Sequence, residues 1–150
     1  MKRRHYLSMG SACAIGGVAG CLSIFESDVQ LAAVSVVNEY EEEQTLEIRV
    51  LDDGTEVQHS ELDLDADDDP RRLRSERVDC VWSSEARPYT VEANIDDEWK
   101  PFDVAAEAKT DCVSVRLHLV SPTSYFWSTY PCEDVDESDS EYVCDFIDID

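Results

Sequence analysis

Three short runs of this chain alternate between apolar and polar residues with a period of two, which suits a strand lying on a core and does not suit a helix. Leu46, Ile48 and Val50 alternate with Thr45, Glu47 and Arg49. Tyr89, Val91, Ala93 and Ile95 alternate with Thr90, Glu92 and Asn94, and Val113, Val115, Leu117 and Leu119 alternate with Ser114, Arg116 and His118. Each run predicts a strand with one buried and one wetted face, and the apolar members are the predicted core. Turns follow the first two: Asp52-Asp53-Gly54, where Gly54 can take positive φ, and Asp96-Asp97-Glu98.

Less regular alternation marks further strand candidates at 31–37, 56–64, 78–82, 99–104, 124–130 and 142–149. Two stretches, 70–77 with Asp69 as cap and 104–109, read as single helical turns, each too short to be a core helix. Roughly seven to nine short strands separated by turns predict an all-β fold. The pattern resembles an antiparallel β-sandwich of immunoglobulin-like type, with a small barrel as the alternative. Trp82 beside Cys80 invites comparison with the tryptophan-over-disulfide core of antibody domains. The cysteine spacing does not match that core, so the resemblance stops at the architecture. The sequence contains no internal repeat and no second domain boundary.

The composition sets the environment. Thirty-five Asp+Glu face 12 Lys+Arg, a formal net charge of −23. Such a surface repels nucleic acid, which needs basic side chains to replace its counterions. With 43% hydrophobic residues the chain is nevertheless rich enough to fold.

Lys2, Arg3 and Arg4 precede an uncharged run of small and apolar residues from Leu7 to Gly20. That run is shorter than the roughly 20 residues a membrane span needs and has the layout of an export signal. The arginine pair followed by His5, Tyr6 and Leu7 resembles a twin-arginine signal, and Val18-Ala19-Gly20-Cys21 resembles a lipobox in which the Cys21 thiol receives lipid. Cleavage before Cys21 would remove three basic residues and no acid, leaving 12 − 3 = 9 against 35, or −26. This signal, joined to an acidic, lysine-poor domain, resembles the small exported lipoproteins of haloarchaea. The resemblance implies a lipid-anchored protein on the outer face of the cytoplasmic membrane and implies no activity. The expected organisation is a signal over 1–20, a lipid-attached tether over 21–30 and one sandwich domain over 31–150, whose acidic C-terminal segment (132–150) is closed by a disulfide.

Cys13 would leave with the signal. Cys80, Cys112, Cys132 and Cys144 then make an even count, which in an exported chain predicts two disulfides. Loop-closure entropy favours the short Cys132–Cys144 loop and leaves Cys80 with Cys112. Against the second pair stands the parity of Cys112, opposite to Val113, Val115 and Leu117. Zinc is not expected, because no two cysteines have ligand spacing and neither His59 nor His118 sits in a motif.

Few residues suggest chemistry. Asp63, Asp65 and Asp67 place carboxylates at alternate positions, as a calcium loop would. The run is not an EF-hand, since the required glycine falls on Asp68 and the closing glutamate on Arg74. A solvated acidic loop is the plainer reading, as it is for 133–141. There is no Gly-x-Ser-x-Gly, no paired histidine and no phosphate loop, and His59 and His118 read as surface residues. No catalytic residue and no cofactor are expected. Between Tyr125 and Tyr130 stand four aromatic rings in six positions, and alternation buries either Phe126 with Ser128 or Tyr125 with Trp127. Some rings stay outside, and Tyr125, Trp127 and Tyr130 are the candidate contact face for a protein or carbohydrate partner. An edge strand covered by the tail is the alternative. Neither Asn38 nor Asn94 begins an Asn-x-Ser/Thr sequence, so no N-glycan is expected. The functional expectation is a non-enzymatic binding or structural module at the cell surface. The alternative is a calcium-dependent module, or an accessory subunit of a membrane transporter or secreted enzyme.

Overall fold

The computed structural model describes residues 28–67, 75–135 and 143–147. The export signal with Arg3 and Arg4, the lipidation candidate Cys21, most of the tether, Asp68 with Asp69, and most of the 133–141 run lie outside the described residues.

Among the described residues eight strands form two sheets: β1 (Gln30–Asn38), β2 (Gln44–Asp52), β3 (Thr55–Leu64), β4 (Ser75–Arg77), β5 (Tyr89–Ile95), β6 (Glu98–Asp103), β7 (Cys112–Leu119) and β8 (Tyr125–Pro131). One sheet runs β4-β1-β7-β8 and the other β3-β2-β5-β6, and they pack face to face as an all-β sandwich, not a barrel. The alternating runs are β2, β5 and β7, and every residue predicted for the core is buried. Pairing is antiparallel except between β1 and β7, which run parallel. This departs from the purely antiparallel expectation. Hairpins force antiparallel neighbours, but β1 and β7 are far apart in sequence and no hairpin constrains them.

Between its neighbours, β1 is buried on both faces from Leu31 to Val34, which explains a nearly continuous apolar sequence in place of alternation. Val29 is also buried and bridges Arg87, so the sandwich starts inside the expected tether. Val104–Glu107 forms the anticipated helical turn, α1, capped by Asp103, which accepts a hydrogen bond from the Ala106 N–H at 3.2 Å.

Three expectations fail. Residues 75–77 are β4, not helix, because they complete an edge beside Ser35, Val36 and Val37. In 78–82 burial does alternate, with Val78 and Trp82 buried and Asp79 and Val81 exposed, but no strand pairs with the run. Instead, the Val78 N–H bonds Val34 O at 2.9 Å and the Trp82 indole N–H bonds Leu31 O at 2.8 Å. In the described part of 142–149, Val143 and Cys144 are buried consecutively. The Cys144 N–H reaches Ala32 O at 2.7 Å before a turn, and no strand forms.

The disulfides are Cys80–Cys144 and Cys112–Cys132, correcting the pairing favoured by loop length. Entropy discriminates weakly, since each doubling of a loop costs only about 0.6 kcal/mol more. Register discriminates strongly: Val113 faces Pro131 across the β7–β8 ladder, so Cys112 and Cys132 meet on its outer side at a Cα separation of 5.4 Å. The contrary parity of Cys112 was the relevant signal.

Candidate functional site

The alternation that turns Val113, Val115 and Leu117 inward turns Ser114, Arg116 and His118 to the outer face of the β4-β1-β7-β8 sheet. Antiparallel register sets Tyr130 opposite Ser114, Ser128 opposite Arg116 and Phe126 opposite His118. On the other side, parallel register sets Ala33, Ser35 and Val37 beside the same three β7 residues. Three strands thus build one face of mixed polarity.

A groove of about 280 Å³ lies on this face. Ala33, Ser35 and Val37 line it from β1, Ser114 and Arg116 from β7, and Tyr130 from β8. Asp134, Val135 and Val143 come from the segments after β8, and Ser75 from β4. The Arg116 Nε–H donates to Ser35 Oγ at 3.3 Å, and its guanidinium carbon stands 4.9 Å from the Tyr130 ring centroid. Among the described residues Arg116 has no carboxylate partner. In the same wall, Ser114 Oγ is buried with no hydrogen-bond partner. Buried hydroxyls are normally satisfied, and an orphan in a cavity wall calls for an explanation.

Beside the groove runs a hydrogen-bonded chain. His118 Nδ1 is 2.9 Å from Glu39 Oε2, His118 Nε2 is 2.9 Å from Ser128 Oγ, and Ser128 Oγ is 3.3 Å from the Tyr130 hydroxyl. A carboxylate only accepts, so Nδ1 carries a proton toward Glu39, which leaves Nε2 to pair with the Ser128 hydroxyl. Phe126 lies flat on the imidazole at 4.3 Å between centroids. His118 is therefore buried, at 8% exposure, contrary to the surface placement expected for it.

A serine–imidazole–carboxylate sequence is also the hydrogen-bond order of acyl-transfer enzymes. Acyl transfer further needs paired donors aimed at a developing oxyanion, usually at a turn or helix N-terminus. Ser128 sits in the middle of the extended strand β8, with its hydroxyl hydrogen-bonded to both His118 and Tyr130. The chain ends at Tyr130, whose ring stands beside Arg116.

The other candidates are dispersed. Tyr125 and Trp127 turn inward, Trp127 packing on Phe102 at 5.1 Å and meeting Tyr125 edge-on at 6.4 Å. Tyr130 lies on the opposite face with the exposed Phe126, so the three rings expected to form one surface do not share a face. β8 is an edge strand, as the alternative reading had it, but the described tail docks on β1. His59 sits on the outer face of the second sheet between Glu47 and Glu56, where Arg49 lies over Trp99 at 4.0 Å and pairs with Glu92 at 2.8 Å. That arginine, unlike Arg116, is compensated.

Asp63 accepts from the Thr45 hydroxyl at 3.1 Å, and the Asp65 carbonyl accepts from the Asn38 amide at 3.0 Å. The Asp67 N–H bonds Tyr40 O at 3.0 Å. No group of three or more His, Cys, Asp or Glu among the described residues is placed to hold a metal, so the structure does not draw these aspartates together.

No family model, curated protein or solved structure matches this chain. Arg116 and Ser114 went unnoticed in the sequence because each reads as the polar half of an alternating strand. Only the pairing register shows what they face.

Proposed function

We propose that the protein is a non-enzymatic, lipid-anchored binding module held at the outer surface of the cytoplasmic membrane, presenting the outer face of the β4-β1-β7-β8 sheet to its partner. The observation that carries the binding reading is Arg116: in a chain with 35 acidic residues, this cation lines a groove and pairs with no carboxylate among the described residues. Exposed Phe126 and Tyr130 on the same face add the amphipathic aromatic surface that interfaces favour. The anchoring part rests on the basic start at Lys2, Arg3 and Arg4 and on Val18-Ala19-Gly20-Cys21.

Two measurements test the two parts. The full-length Cys21→Ser variant should appear in the medium instead of the membrane fraction; retention on the membrane would exclude lipid attachment at Cys21. For the face, pull-downs from solubilised membranes at molar salt should lose partners with Tyr130→Ala. Trp127 is unsuitable for this purpose because its ring stabilises the sandwich. An unchanged partner set would remove the outer face from consideration.

A further inference from the structure

We infer that the groove over Arg116 is a binding site for a small monocarboxylate with an aliphatic body, an inference that rests on the binding-module reading and names its ligand class. Three independent features of the groove meet in that chemistry.

The first is charge. A guanidinium presents five N–H donors, and here Nε is used on Ser35 while no carboxylate among the described residues takes the terminal nitrogens. Two parallel N–H donors are the geometric match for a carboxylate. Two other described arginines are compensated: Arg49 pairs with Glu92 and Arg87 with Asp52. Arg116, by contrast, has no carboxylate partner among the described residues.

The second is the Ser114 hydroxyl, buried, unpartnered and in the same wall. A carboxylate oxygen bound at Arg116 would give this hydroxyl the acceptor it lacks, because the two residues stand two positions apart on one face of β7. The third is the apolar part of the lining, Ala33, Val37, Val135 and Val143, which suits a short aliphatic chain. The groove lies just below the ~300 Å³ at which typical small-molecule pockets begin, so the ligand is small. Asp134 on the lining disfavours a dianion and tolerates an ammonium, so a free fatty acid and an α-amino acid are two sources of the same carboxylate.

The test uses the full chain in molar salt with 4-methylpentanoate, leucine and the neutral 4-methylpentanamide as probes, read by titration calorimetry and by the 15N-detected shift of the Arg116 side chain. Saturable binding is expected for 4-methylpentanoate or leucine, with the amide weaker by at least about tenfold. Preference for leucine assigns the amino-acid source, and equal binding assigns the simple acid. Arg116→Gln should abolish binding, and Arg116→Lys should retain charge but lose at least about tenfold because the fork is gone.

Ser114→Ala separates a ligand role from a structural one. Removing an unsatisfied buried hydroxyl should raise the thermal midpoint, while carboxylate affinity falls several-fold. No saturable binding of either carboxylate, equal binding of the amide, or affinity unchanged in Arg116→Gln would overturn the inference. Partner capture in the pull-down would in that case still uphold the binding module, so the two failures are distinguishable.

Discussion

Tyr89 carries a hydroxyl to the edge of the core and finds carbonyl partners there, Ser83 O at 2.9 Å and Glu85 O at 3.4 Å. Burial, followed by the nearby Asp52 carboxylate, raises the pKa of the phenol. A raised acid pKa means that the folded state holds its proton more tightly than the unfolded chain. The associated stability is fully present below the unfolded value of about 10 and is lost as pH climbs toward the folded value. Tyr89→Phe should therefore cost about 1 kcal/mol at neutral pH, and the difference from wild type should shrink above about pH 10. Thermal melts of both proteins between pH 8 and 11 check this; a constant difference would show that the hydroxyl is not coupled to folding. Lys100 is also shifted upward, through its hydrogen bond to Glu98, but it is exposed and common to both proteins, so it cancels in the comparison.

At the scale of elements, the open edge of β1 is closed by three unrelated segments. β4 pairs with Ser35 to Val37, the Trp82 indole caps Leu31 O, and Cys144 caps Ala32 O. None is a long strand, yet together they satisfy carbonyls that would otherwise be buried unpaired. The Cys80–Cys144 bond, spanning 64 residues, ties two of these segments together, whereas Cys112–Cys132 spans 20 and lies beside a ladder that already holds its ends close. Replacing the longer bridge by a pair of alanines should cost about 4 kcal/mol, and replacing the shorter one about 3 kcal/mol or less. Non-reducing peptide mapping should recover those two linkages, and a Cys132–Cys144 peptide would refute the arrangement. These elements also mark where sequence stops being informative. The period of two in β2, β5 and β7 is a local property, and their core residues could be read directly. The capping of β1, the pairing of cysteines and the meeting of Arg116 with Ser35 and Tyr130 depend on which strands become neighbours, and no local pattern encodes that. The parity of Cys112 is the exception, because it reported the outer face of a strand before the partner strand was known.

For the molecule as a whole, the acidic excess is a folding problem before it is a functional one. A net charge of −23 on a small sandwich repels itself, and some repulsions are built into the ladders: Glu47 stands directly across from Glu61 on the outer face of β2 and β3. Like charges directly opposite are destabilising, and the nearby His59 relieves Glu47 only when protonated. Screening by salt weakens this repulsion, so part of the salt dependence of stability reports it. At molar salt the Debye length is about 3 Å and carboxylates several ångströms apart no longer interact; at 0.1 M it is about 10 Å and neighbouring acids do. The thermal midpoint should therefore fall on dilution from molar to about 0.1 M salt, by more than about 4 °C if the repulsion amounts to ~1 kcal/mol. Screening depends on ionic strength alone, so NaCl and KCl should act alike, and a sodium-specific effect would point to a bound ion instead. Glu61→Gln makes the argument local. It should raise the midpoint in dilute salt, by about 0.5 kcal/mol in stability, and leave it unchanged at molar salt where the facing carboxylates are already screened. A gain that persists at molar salt would mean that Glu61 is unfavourable for a reason other than charge.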